Sequence, residues 1–225
     1  MPESKVPAPT TMPVDKIKWL SELHLSNFHN AFYQYRDVRA CIGNRGKILI
    51  VGPGQGLDLA VFRSQGYEVT TYDIDADFKP DHLGSVHEMD CFGDGQFDVV
   101  IASHVLEHMS HSLLEPALRE LSRVARHALV YLPYAGRHID ISFTQFQSVA
   151  EHHLRINVTP FWRRPSLERP LFAGGQHFWE IGVHGCSAAA IRRQMEKHFD
   201  VLDAYQNPHW LVSMNFVLRS RYPRE

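Results

Sequence analysis

The chain has 225 residues, 44% of them hydrophobic and 21% charged, enough for one substantial core and so for a single domain. A formal net charge of −2 carries no electrostatic footprint for a phosphate backbone, which removes nucleic acid from the expected partners. No apolar run approaches the roughly 20 residues of a membrane span, the proline-dotted start (Pro2, Pro7, Pro9, Pro13) lacks the apolar core of a signal peptide, and Cys41, Cys91 and Cys186 form neither a disulfide framework nor a metal knuckle. The expectation is a cytoplasmic protein without a membrane partner, monomeric or homodimeric.

In chain order, residues 1–13 are expected to be disordered and residues 14–42 helical. Ser26 is a candidate cap there, and Phe28, Phe32, Tyr35 and Arg39 fall at helical spacing as a stripe that needs a partner, either the sheet or a ligand under a lid. From residue 47 strands and helices alternate: strand 47–52, helix 57–65, strand 67–73, a short strand near 85–89, strand 97–103, helix 113–126 and strand 128–133. Ser112 and Glu115 read as a capping box for the last of these helices. A helix over 187–198, started by Ser187, precedes strands 199–206 and 210–219, whose tight connection through Asn207, Pro208 and His209 makes them antiparallel. The pattern predicts an α/β fold, a doubly wound, mostly parallel seven-stranded sheet with an antiparallel last strand. Residues 134–186 exceed ordinary loop lengths and are rich in His, Arg and aromatic residues.

The chemistry gathers where strands end. Residues 47–58, Lys-Ile-Leu-Ile-Val-Gly-Pro-Gly-Gln-Gly-Leu-Asp, run an apolar strand into Gly52, Pro53, Gly54 and Gly56 and then into a helix. Glycines let the backbone turn tightly and lie against a flat ligand, while the helix aims N–H groups at the same place. A dinucleotide fingerprint would need glycine at Leu57, which argues against a pyrophosphate and so against a nicotinamide or flavin oxidoreductase. Asp73 ends the second strand, where a carboxylate can accept both hydroxyls of a ribose, and Phe97 to His108 delivers Ser103 and His104 to the same sheet edge.

Taken together, Val-Gly-Pro-Gly-Gln-Gly, the acid closing the next strand, Phe-Asp-Val-Val and His-Val-Leu-Glu-His resemble class I S-adenosylmethionine-dependent methyltransferases, most closely the small type 11 group, over about residues 47–133. The resemblance implies a Rossmann-like methyltransferase domain over 14–225, with 14–42 as a helical lid and 134–186 as a substrate-side insert. It implies S-adenosyl-L-methionine as cofactor, with Gly52, Pro53, Gly54 and Gly56 along its methionine and ribose part, Asp73 on the ribose, and Ser103 and His104 toward the methionyl end. The acid that such proteins use on the adenine amino group falls at Ser85, which leaves backbone groups around Ser85, Val86 and His87 to read the ring edge and Ile74 to pack on its face. An acid common before the first glycine is replaced by Val51, so a partner for the cationic sulfonium and ammonium must come from elsewhere, with Glu107 or the first helix as candidates. These two departures keep a non-catalytic binding module open as a second reading.

Fifteen histidines raise the question of a metal. His104, His108 and His111 follow helical spacing, but Ser112 opens a new helix, which puts His111 in the break, and no carboxylate or cysteine completes a set, so none is expected. In the insert, Gly174 to Glu180 combine glycines, a possible base at His177 and aromatic residues, a composition that suits a substrate pocket; Trp179 as a core residue is the other reading. The candidate catalytic residues are His177, Glu180 and His108 as bases for an O or N methyl acceptor, with His138, Tyr134 and Arg137 nearby in topology. The expected partner is a small-molecule substrate, anionic if Arg163, Arg164 and Arg169 bind it.

Overall fold

The computed structural model describes residues 22–135, 138–144, 151–158 and 177–223. The main sheet is built from β1 (Lys47–Val51), β2 (Glu68–Asp73), β3 (His82–Leu83), β4 (Phe97–Ser103), β5 (Ala125–Pro133), β8 (Phe199–Gln206) and β9 (Ser213–Ser220). Between β5 and β8 the chain forms a separate antiparallel pair, β6 (His138–Thr144) and β7 (Glu151–Asn157). The described α-helices are α1 (Leu25–Ile42), α2 (Leu57–Ser64), α3 (Leu114–Val124) and α4 (Ala188–Met195). The sheet order is β3-β2-β1-β4-β5-β9-β8, with every pair parallel except those made by β9, which runs antiparallel to both neighbours.

Alternation along the strands explains why both faces are covered. Ile48, Ile50, Val99, Ile101, Leu129 and Tyr131 point to one face, where Tyr33 and Val38 of α1 and Phe62 of α2 pack. Leu49, Val51, Val100, Ala102, Ala128 and Val130 point to the other, against Leu114, Leu118 and Leu121 of α3 and Ile191 and Met195 of α4. A strand apolar on both faces can only be interior to a sandwich of helices, and β1, β4 and β5 are such strands.

Several expectations are corrected by long-range partners. The third strand is His82–Leu83 and not 85–89, because Gly84 N donates to Asp73 O (2.9 Å) and the chain then turns, with Tyr72 Oη reaching the carbonyls of Ser85 and Glu88. The box at Ser112 does not form: Ser110 accepts from Ser112 N at the start of a 3-10 turn over His111–Leu113, and Glu115 is engaged by Lys197 and His198. Strand β5 begins at Ala125, earlier than 128, and β9 at Ser213, later than 210. Helix α1 starts after His24, whose N–H donates to Asn27 Oδ1 (2.8 Å), so Ser26 is not its cap. The predicted stripe is not the packed one: Phe28 and Phe32 are half-exposed, and Ala31, Tyr33, Gln34, Asp37 and Val38 are buried instead.

Asp37 accounts for that orientation. Its Oδ2 accepts from Tyr131 Oη and Tyr205 Oη, each at 2.6 Å, and its Oδ1 accepts from both Arg36 Nε and Arg36 Nη2. Burial, with Asp37 alongside, raises both tyrosine hydroxyls above their ordinary range and keeps them neutral donors. A carboxylate buried at this depth is tolerated only because every lone pair is used.

The candidate cofactor and acceptor sites

The glycine turn follows β1 at the carboxyl edge of the parallel strands, where ligands bind in open α/β sheets. Gly52 has φ 69°, and a Cβ there would stand 2.5 Å from Val105 Cγ2, so the turn passes directly over the end of β4. Gly56 has φ 74°, serves as the N-cap of α2, and would direct a Cβ into open space with nothing within 4 Å. The first glycine is therefore required by the protein's own packing, whereas the third faces a volume that protein atoms leave clear. Gly54 also has positive φ, and Pro53 is buried between them.

Asp73 ends β2 next to β1's glycines, nearly buried, with Oδ1 accepting from Asp75 N (2.9 Å). Ile74, just beyond, is 59% exposed, an apolar side chain presented to solvent beside a carboxylate. Ser85 Oγ and His87 Nδ1 bond to each other at 2.6 Å, and Val86 is buried, so at this place the backbone is what a planar ring could meet. Asp58, which sequence reasoning passed over, lies in the first turn of α2; burial pushes its carboxyl up to about 6 against the bond it accepts from Leu59 N. The available signal was an acid in the first turn of the helix that follows the glycines.

On the other side, Ser103 Oγ accepts from Asn30 Nδ2 (2.8 Å), which brings α1 to the end of β4. Asn30 Oδ1 is buried and makes no hydrogen bond. His104 takes a left-handed conformation, φ 55°, which a bulky residue adopts only when its surroundings over-determine it. Those surroundings are Tyr131 O accepting its N–H (2.9 Å), Ser213 Oγ at 3.1 Å from Nε2, and the Trp210 ring at 4.6 Å.

Beyond His104 the chain makes a short 3-10 turn, Leu106–His108, in which Glu107 is wholly buried. Its Oε1 lies 3.4 Å from His104 Nδ1 and 4.0 Å from His108 Nε2, yet neither carboxylate oxygen completes a hydrogen bond. Burial pushes the carboxyl up, and the close approach of the His104 ring, with the charges of His104, His108 and His177, outweighs it and leaves the group below its ordinary range.

The segment at 177–181 is sewn to this turn. Phe178 N donates to Glu107 O (2.8 Å), Ile181 N to Pro133 O (3.0 Å), and Trp179 Nε1 to Met109 O (3.2 Å). Trp179 is fully buried, so the core reading of that residue holds. Across it, His177 Nδ1 bonds Glu180 Oε1 at 2.7 Å, and the His177 ring stands edge-on to His108 at 4.9 Å. Burial lowers His177, but the bond to Glu180 and the charges of Glu107 and Glu180 raise it further, for a net shift upward. The structure thus brings His177, Glu180 and His108 together, adds Glu107 to them, and leaves His111 apart in the helical break against Trp179. Tyr134 pairs with Ile181 as an isolated parallel bridge. His138 opens β6, while Arg137, Gly174 and the Arg163, Arg164 and Arg169 set lie outside the described residues.

A mostly parallel seven-stranded sheet with one antiparallel strand, a glycine turn after β1 and an acid at the end of β2 define a Rossmann-like methyltransferase fold. A family model described as a methyltransferase domain matches residues 28–172, more than half of the chain, and the protein belongs to that family. Among solved structures, the PH0226 protein from Pyrococcus horikoshii OT3 is 14% identical with a TM-score of 0.56, covering 90% of this chain and 93% of that one. The 1,6-didemethyltoxoflavin-N1-methyltransferase of Burkholderia thailandensis, solved with 1,6-didemethyltoxoflavin and S-adenosylhomocysteine bound, is 16% identical with a TM-score of 0.53, covering 94% and 93%. The glycopeptide N-methyltransferase MtfA, complexed with sinefungin, is 11% identical with a TM-score of 0.54, covering 85% and 93%. These likenesses concern the fold. No curated protein matches the chain in sequence, and among the described residues no helix is long and apolar enough to cross a membrane.

Proposed function

We propose that the protein is an S-adenosylmethionine-dependent methyltransferase acting on an O or N atom of a small molecule. The observation that carries this reading is the open space that a Cβ at Gly56 would enter, at the sheet edge where β2 ends in Asp73 and β4 ends in Ser103. Two features fit a cationic nucleoside: the exposed Ile74 beside the Asp73 carboxylate, for a ring and a ribose, and the unsatisfied Asn30 Oδ1, an acceptor for an ammonium group. The S-adenosylhomocysteine and sinefungin bound in the two methyltransferases of the same fold agree with this choice.

When bound, the cofactor supplies a methyl carbon already activated by positive sulfur, so the protein's task is to position the acceptor and dispose of its proton. Gly52, Pro53, Gly54 and Gly56 would line the methionine and ribose portion, Asp73 would hold the ribose, and backbone groups from Ser85 to His87 would read the adenine edge. Ser103 and His104 lie at the methionyl end. The acceptor would approach from the side of His108, His177 and Glu180, where His177, oriented by Glu180, takes the proton from an acidic O–H or N–H. In this reading α1 covers the cofactor and the segment 177–180 faces the acceptor.

Calorimetry with S-adenosylmethionine and S-adenosylhomocysteine tests it. Saturable binding of both is expected, and it should be lost in Gly56→Arg, whose side chain enters the clear volume; a parent protein with no saturable heat for either compound would sink the proposal.

A further inference from the structure

We propose that Glu107, His108 and His177 form a site for a divalent cation of the zinc, manganese or cobalt type, with open positions that take an acidic oxygen of the methyl acceptor. One ligand atom from each of the three lies within 4.8 Å of the others. Proximity alone would not suffice. The second observation is the state of Glu107: its carboxylate is fully buried, and both oxygens lack a hydrogen bond. A buried anion without bonds is costly, and it persists in proteins where a cation answers it.

The surroundings are those of a built site. The bond from Phe178 N to Glu107 O holds His177 against the turn that carries Glu107 and His108, although seventy residues of sequence separate the two segments. Nδ1 of His177 is bonded to Glu180 Oε1 at 2.7 Å, which fixes the ring beside Glu107 and His108. That is the carboxylate–histidine arrangement by which proteins fix the tautomer and orientation of a ligating imidazole. Glu180 behind this ring is itself 4% exposed. His104 Nδ1, 3.4 Å from Glu107 Oε1, completes the set of ionisable groups facing the carboxylate.

Donor chemistry selects the ion. Two imidazoles and one carboxylate suit borderline first-row cations and zinc better than calcium or magnesium, which favour all-oxygen shells. Three protein ligands leave at least one position open, the mark of a catalytic rather than a structural site. An oxygen acid bound there would lose its proton to solvent at a lower pH than when free, so the ion would take over the proton-removing role that His177 has in the cation-free protein. The further implication is an acceptor with a hydroxyl, enol or phenol oxygen. Its identity as methyl acceptor rests on the methyltransferase reading, whereas ion binding does not.

The full chain, stripped with a chelator and titrated with Zn²⁺ and Co²⁺ in a calorimeter, should bind one equivalent. Glu107→Gln and His177→Ala should each weaken binding by about 100-fold, and Glu180→Gln by about 10-fold, while His111→Ala should leave it unchanged. His177 is on the rim of the buried cluster, so its alanine variant keeps the test valid if the Glu107 variant fails to fold, with circular dichroism as the check. Acetohydroxamate, a chelator with two oxygens, should change the absorption spectrum of the Co²⁺ form. Absence of stoichiometric binding, or equal binding in His177→Ala, overturns the site; an unaltered Co²⁺ spectrum overturns the open positions. Binding of S-adenosylhomocysteine without ion binding would defeat this proposal and leave the methyltransferase reading standing, and the converse result would do the reverse.

Discussion

Asn30 Nδ2 donates to Ser103 Oγ across 2.8 Å, joining the first helix to the end of the fourth strand while the amide oxygen of the same side chain is buried without a bond. An amide pinned by one end and unsatisfied at the other is poised for a donor that has yet to arrive. Asn30→Ala is expected to weaken S-adenosylhomocysteine binding by about tenfold, the worth of one hydrogen bond to a charged group, with little change in melting temperature. Calorimetry and a thermal melt together check it: an unchanged dissociation constant would remove Asn30 from the site.

Gly52 and Gly56 should separate stability from binding. Gly52→Ala places a methyl 2.5 Å from Val105 Cγ2 at φ 69°, and a loss of about 1–3 kcal/mol in denaturant unfolding is expected. Gly56→Ala meets no protein atom, so only the conformational cost of a left-handed residue applies, about 1 kcal/mol. Cofactor binding should nevertheless fall further in Gly56→Ala than its stability loss explains, which a binding isotherm on the folded variant measures.

Asp37→Ala removes the shared acceptor of Tyr131 and Tyr205 and leaves both hydroxyls in the interior. Urea unfolding should show a loss of about 2–4 kcal/mol. Restoring shape without charge, as in Asp37→Asn, should recover only part of it.

The pH dependence of Asp58 has a definite sign. Its folded carboxyl is raised from 3.8 to about 6 by burial, so its contribution to stability is fully present below the unfolded value and is lost as pH rises through about 6. Asp58→Asn removes that loss. The variant should gain on the parent by about 1–3 kcal/mol between pH 4 and pH 6.5, and the gap should stay level above. Melting temperatures across that interval decide the matter; a gap that shrinks as pH rises refutes the assignment.

Legibility in the sequence followed the range of the forces involved. Strand β4 is read with its bounds intact, and the helix read as starting at Ser187 is α4, with Ser187 accepting from Ala190 N as its cap, because alternation and capping are local. The Ser112 box failed because Glu115 has partners at 197 and 198, and the α1 stripe failed because a buried aspartate with two tyrosine donors outcompeted two phenylalanines for the interior. Likewise His108 and His177 were each noticed singly, but their meeting with Glu107 depends on one backbone bond between distant segments. No periodicity encodes such a bond.

The burial of Trp179 between His177 and Glu180 has a further consequence. Residues 177–180 cannot slide: a shift of one residue would drive the Glu180 carboxylate into the slot of the Trp179 indole and break the bond between His177 and Glu180. An insertion or deletion after His177 should therefore abolish folding and chemistry at once.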